Sequence, residues 1–150
     1  MEEKFDVVIA GAGASGLMCA WQCGRQGKKV LVMEKNETAG KKILASGNGR
    51  CNFSNLRMRT SCYHGEKEKI GKILEVFPAD KAIKQMEEIG IFRKERDGYL
   101  YPYTGQAVTV RDFLVNACKR CGVQFIFETK VAKVVHKNNE FTIWAKGGVK

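Results

Sequence analysis

Near the N-terminus, Gly11-Ala12-Gly13-Ala14-Ser15-Gly16 spaces three glycines as G-x-G-x-x-G, directly after the apolar run Phe5-Asp6-Val7-Val8-Ile9-Ala10. That spacing suits phosphate binding. Gly11 allows a tight turn, Gly13 lets the backbone approach a pyrophosphate, and Gly16 lets the following helix pack close to the strand. Ala14 and Ser15 open that helix, whose first N–H groups and partial positive charge face an anion. The motif alone is weak, because glycine supplies 16 of the 150 residues. Its context strengthens it. Small residues continue at Ala20 and Gly24, and a second apolar run, Lys29 to Glu34, ends in a carboxylate. Glu34 stands at roughly the 20-residue offset of an acid that accepts from a ribose hydroxyl. Such an acid repels a 2′-phosphate, so NADP at this loop is disfavoured.

A second glycine cluster follows, from Gly40-Lys41-Lys42-Ile43-Leu44-Ala45 through Ser46-Gly47-Asn48-Gly49-Arg50 to Cys51-Asn52-Phe53-Ser54-Asn55. Plain NAD-binding units pass quickly from the second strand into a helix; here the chain spends some twenty residues, Asn36 to Asn55, on loop chemistry. Glycines let backbone touch a ligand, Lys41, Lys42 and Arg50 neutralise phosphate, and Ser46, Asn48 and Asn52 hydrogen-bond polar edges. An extended cofactor lying along the loop, FAD from adenosine to flavin, accounts for this composition.

The segment Gly40 to Asn55, with Gly11–Gly16 before it, resembles the BaiN/YhiN-type family of bacterial flavoproteins. It follows that family's most distinctive stretch, G-[RK]-K-[IL]-L-x-S-G-x-G-R-C-N-x-[ST]-N. Arg96-Asp97-Gly98-Tyr99-Leu100-Tyr101-Pro102-Tyr103, with Gln106-Ala107, is similar to a further family segment. The resemblance implies that Ala14 and Ser15 hold the pyrophosphate through backbone N–H and that Glu34 holds the adenosine ribose. It places Lys35, Lys41 and Lys42 near the adenosine and phosphates, and Ser46, Gly47 and Asn52 towards the ribityl and flavin end. It has Val131 pair its backbone with the adenine edge. Relatives of this kind continue into a further strand, an inserted domain and a C-terminal return to the FAD. Residues 1–150 are therefore expected to be the N-terminal part of an FAD/NAD(P)-binding domain, with catalytic residues unassigned.

The elements that must position these groups are legible as patterns. Phe5–Ala10 and Lys29–Glu34 read as buried parallel strands, with a helix from Ala14 to about Gln26 between them. Charged amphipathic helices are predicted at Glu66–Phe77 and Ala79–Ile89, the second stopped by Gly90. A hairpin turns at Asp97-Gly98 into Tyr99–Tyr103. From Gln106 to Cys121, Val110, Phe113, Leu114, Ala117, Cys118 and Cys121 keep one helical face, which Gly122 ends. Val123–Phe127 is a third buried strand. Strands at Val131–His136 and Phe141–Ala145 meet at Asn138-Asn139, with a further turn at Gly147-Gly148. The fold class is α/β: a Rossmann-like FAD-binding fold in three layers, a parallel sheet plus an antiparallel β-meander. It reads as truncated, since no run supplies a strand beyond Phe5–Ala10 on its other side.

Composition bounds the rest. Apolar and charged residues balance as in a folded globular domain, and no apolar run is long enough for a bilayer. The acidic opening Met1-Glu2-Glu3-Lys4 is unlike a signal peptide. Six cysteines lack a repeated ligand spacing, so a cytoplasmic protein with reduced thiols is expected. Cys118-Lys119-Arg120-Cys121 forms C-x-x-C, but its cysteines lie on an apolar helix face and read as core, as do Cys19 and Cys23. Cys51 reads as a structural thiol, and His64 and His136 carry no metal spacing. The net charge of +10 fits a solvated basic surface or an anionic ligand.

The expected function is FAD-dependent hydride transfer to or from a small organic substrate, with NADH or NADPH as possible electron donor. The resemblance suggests reduction of a conjugated double bond, in a steroid-like or other hydrophobic acid. An RNA-modifying flavoprotein is a rival supported only by the charge, and nucleic acid is not the favoured partner. A non-catalytic cofactor-binding fragment is a third reading. Oligomeric state is open.

Overall fold

A computed structural model describes residues 3–147. The chain divides into two compact units, Met1–Lys42 with Leu114–Lys150, and Ile43–Phe113.

The first unit is built on a parallel sheet of β1 (Val7–Ala10), β2 (Val30–Met33) and β6 (Gln124–Ile126), in the order β1-β2-β6. Val7 pairs with Val30 and Leu31 with Gln124, so β2 is central. Its burial follows: Val30, Leu31 and Val32 are all in the core. Among the described residues β1 pairs on one side only. Helix α1 (Ala14–Gly24) crosses between β1 and β2, burying Leu17, Ala20, Trp21 and Gly24, which recur at i, i+3, i+4 and i+7. The C-terminal half of α5 (Ala107–Arg120) packs beside it, with buried Cys118 donating from Sγ to the Leu17 carbonyl at 3.2 Å. A β-ribbon completes this unit: β7 (Thr129–Lys137) and β8 (Glu140–Gly147) pair antiparallel. Its turn residues Asn138 and Asn139 both have φ above +50°, the region that two-residue hairpin turns demand and asparagine tolerates. The turn expected at Gly147-Gly148 involves Gly148, which lies outside the described residues.

The second unit holds a 3₁₀ turn at Ser46–Gly49, and β3 (Ser54–Asn55) in the sheet order β3-β5-β4. Strands β4 (Arg93–Arg96) and β5 (Tyr99–Pro102) form the hairpin around Asp97-Gly98. Helices α3 (Lys67–Val76) and α4 (Ala79–Glu88) precede it. Two expectations need correction. The stretch Asn36 to Asn55 is not all loop: Lys41–Ala45 makes a single α-helical turn, α2, whose end is tied by Ser46 Oγ donating to the Ile43 carbonyl at 2.6 Å. A five-residue helix displays no periodicity, which is why composition masked it. Cys19, expected in the core, is exposed, because it lies well round α1 from the face that Leu17, Trp21 and Gly24 bury. Phe113 is 39% exposed, unlike Leu114 beside it.

Candidate functional site

The loop from Ala10 to Gly16 is braced at each turn. Gly11 has φ +104°, the left-handed side that glycine tolerates, and its N–H donates to the Met33 carbonyl at 2.7 Å. The Ala12 carbonyl accepts from Gly40 N–H at 2.8 Å. Gly16 admits no side chain: a Cβ there would stand 2.1 Å from the Gly11 carbonyl oxygen. Gly13 is the opposite case. A Cβ on it meets nothing within 4 Å, so its absent side chain leaves space over the loop. Gly13 also N-caps α1 without a side chain, and the first turn holds no acid. Leu17 is the first residue to donate back along the helix, to Gly13. The N–H groups of Ala14, Ser15 and Gly16 therefore have no acceptor within the helix, as at any helix start.

Glu34 follows β2 and is 7% exposed. Its Oε2 accepts the Ala12 N–H at 2.7 Å, and its Oε1 accepts the Asn36 backbone N–H at 2.9 Å and side-chain Nδ2 at 2.5 Å. Its backbone is held too, by the Ile126 carbonyl and the Thr129 N–H. Burial pushes the carboxyl pKa up, but the bonds from Asn36 and Ala12, with the Lys35 charge, outweigh it and hold the group below its ordinary value. A carboxylate has about four acceptor positions; hydrogen bonds from Ala12 and Asn36 fill three of them, leaving one on Oε2.

Gly11, Gly13, Ser15, Gly16 and Glu34, together with Lys35, Lys41 and Lys42, line a cleft of about 750 Å³. Three exposed lysines and the N-terminus of α1 give it a positive field. A smaller cavity of about 280 Å³ shares Ala10, Gly11, Glu34 and Lys35 with the cleft and extends to Thr129, Lys130 and Val131. Val131 thus lies at the cavity while pairing in register with Ala145.

Of the residues anticipated, Gly11, Gly13, Ser15, Gly16, Glu34, Lys35, Lys41 and Lys42 come together in the cleft, with Ala14 opening the helix behind them. Ser46, Gly47 and Asn52 belong to the second unit, where each shapes its own loop. A Cβ on Gly47 would stand 2.8 Å from the Asn52 nitrogen, and Gly47 has φ +54°. With its amide nitrogen turned inward, Asn52 donates to Ser54 and Leu100 carbonyls. Buried Cys51 donates its N–H to the Ser46 carbonyl, and burial pushes its thiol pKa up. Cys118 is a buried packing residue whose pKa is pushed up to about 12 by burial and then by Cys121, so it is a poor nucleophile. Ala12, Asn36 and Gly40 were not anticipated. Asn36, two residues beyond Glu34, carried the one available signal: a short amide placed to clamp the acid.

A parallel sheet carrying a glycine-rich turn, a helix N-terminus and a buried acid after the second strand defines a Rossmann-type dinucleotide-binding domain. The chain belongs to the family described as HI0933-like protein Rossmann domain, whose pattern matches residues 5–149. It is 37% identical over 142 residues to a 3-dehydro-bile acid delta(4,6)-reductase of Clostridium scindens, covering 93% of this chain and 35% of the relative. It is 33% identical to a ribosomal RNA dihydrouridine synthase of Escherichia coli, covering 97% of this chain and 36% of the relative. The chain thus spans about a third of the length of these relatives. In fold it is similar to a 3-ketosteroid-delta4-(5alpha)-dehydrogenase from Rhodococcus jostii, with TM-score 0.68 and 15% identity over 93% of this chain and 43% of that one. Among the described residues, no helix is long and apolar enough to cross a membrane.

Proposed function

We propose that the protein is an FAD-dependent oxidoreductase that delivers a hydride to a carbon–carbon double bond of an organic substrate, with NADH or NADPH as donor. The observation that carries this is the cleft: free α1 N–H groups, an open Gly13 and a carboxylate with one acceptor position left. Those features fit a dinucleotide with a free ribose hydroxyl. Gly13, Ala14 and Ser15 would hold the pyrophosphate, Glu34 the ribose, and Lys35, Lys41 and Lys42 the surrounding charge. The flavin would supply the hydride chemistry, and the protein position and electrostatics. The relatives' names support the reaction type, one being a bile acid delta(4,6)-reductase and the other a ribosomal RNA dihydrouridine synthase.

The test is the absorbance spectrum of the purified full-length protein, its bleaching by NADH or NADPH, and chromatography of the released cofactor. FAD is expected; FMN alone, or no flavin after reconstitution, would overturn the reading. Two substrate classes follow from the relatives: a free steroid-like acid and a base within RNA. Reoxidation of the bleached flavin by each candidate distinguishes them.

A further inference from the structure

The β7–β8 ribbon separates its chemistry by face. Residues paired across an antiparallel ladder share a face, and successive residues alternate. Register places Lys130 opposite Lys146, Lys133 opposite Trp144 and Lys137 opposite Glu140. The irregularity between Val131 and Lys133 brings Lys130 and Lys133 to the same side, where simple alternation would oppose them. Lys133 Nζ lies 5.4 Å from the Trp144 ring centroid, and His136 stacks on Phe141 on the other face at 4.5 Å, as this assignment requires. One face therefore carries four lysines around an indole that is 47% exposed. Its single acid, Glu140, is bound by Lys4 at 3.2 Å. The opposite face carries Val131, Val134, Phe141, Ile143 and Ala145, with His136 and Thr129.

Like charges directly opposite each other destabilise a ladder, so the Lys130–Lys146 pair works against the ribbon unless an anion lies over it. An ammonium row with an exposed ring is the chemistry of single-stranded nucleic acid binding: cations follow the phosphates, and a base stacks on the aromatic side chain. A nine-residue strand, about 30 Å long, offers length for several nucleotides. We propose that the lysine face of β7–β8 is a docking surface for a single-stranded RNA segment. This rests on the reductase reading and selects, from its two substrate classes, the base within RNA.

The experiment uses the full-length, flavin-loaded protein and a short fluorescent single-stranded RNA, with anisotropy read from about 50 to 200 mM salt. Each neutralised phosphate contributes about −0.7 to the slope of log affinity on log salt. The triple variant Lys133→Gln, Lys137→Gln, Lys146→Gln should flatten that slope by about 2 and weaken binding, with flavin content and NADH or NADPH bleaching unchanged. Trp144→Ala should cost about tenfold in affinity with the slope kept, and duplex RNA of the same sequence should bind more weakly. Four results would overturn the proposal: no RNA binding by the flavin-loaded protein; an unaltered slope in the triple variant; these lysines shielded from amine acylation by the rest of the chain; or tighter capture by phosphatidylserine vesicles than by RNA. Failure to hold or reduce flavin would instead count against the reductase reading.

Discussion

Gly13 and Gly16 stand in the same loop, yet substitution should fail at each for a different reason. Gly13 has φ −79° and ψ −178°, a conformation open to any residue, and free space where a Cβ would go. Gly13→Leu should lower the melting temperature of the flavin-free protein only by the lost preference for glycine at the N-cap, less than Gly16→Ala, and abolish FAD binding, because the side chain would fill the phosphate approach. Gly16→Ala drives a Cβ into the Gly11 carbonyl, an overpacking cost of about 1–3 kcal/mol or more, and should lower that melting temperature. Equal effects on folding at both positions would show that Gly13 is also packed. Glu34 combines the two kinds of role, since its carboxylate anchors the loop at Ala12 and, on the proposed reading, keeps one position for the ribose. Glu34→Ala strands a buried N–H at Ala12, at about 1–3 kcal/mol, and should weaken FAD by roughly another 1.5–3 kcal/mol, the range for a hydrogen bond to a charged group. Its pH dependence has a definite sign. The folded carboxyl titrates below its ordinary value, so its stabilisation is complete above that value and disappears as pH falls through the folded one. Thermal unfolding of wild type and Glu34→Gln should therefore converge on acidification; a gap that widens would show that the carboxyl is not held ionised.

At the scale of elements, the small residues of α1 set how closely its neighbours approach. A Cβ on Gly24 would stand 3.0 Å from both Cys121 Cβ and Val123 Cγ2, where α5 gives way to β6. Gly24→Leu should cost about 1–3 kcal/mol by wedging α1 from these residues, read as a drop in denaturant midpoint; no change would mean the end of α1 yields freely. This spacing was legible in the sequence, as were the longer helices, because each repeats a period over many residues; the strand–glycine–helix turn and the acid after β2 were legible as a motif of fixed offsets. Features closed by contact rather than period were not. The Glu34–Ala12 bond joins residues 22 apart and leaves no pattern at either. The helical turn Lys41–Ala45 is too short to show one, and positive φ at Cys51 falls on a residue whose type does not announce it. The lysine face of the ribbon needs both a register and a bulge. Lys130, Lys133 and Lys137 alternate imperfectly along the sequence, and only the pairing puts them beside Lys146 and Trp144.

For the whole molecule the question is how much of the nucleotide site these 150 residues supply. Among the described residues, β1 presents one edge of backbone N–H and C=O groups without a strand partner, and such edges recruit strands from other chains. Val134 and Phe141 on the ribbon's face opposite the lysines are 52% and 68% exposed, which adds surface for the same association. The residues that line the cleft belong to the first unit, and the chain spans about a third of the relatives' length. Residues 1–150 expressed alone should therefore self-associate and hold FAD at least about tenfold more weakly than a chain of the relatives' length, a loss of about 1.4 kcal/mol or more. Light scattering reports the first outcome and flavin titration of both chains the second. A monodisperse, monomeric 150-residue chain with the longer chain's affinity would show that the cleft around Gly13 and Glu34 binds the cofactor unaided, and that the open edge of β1 is tolerated as it stands.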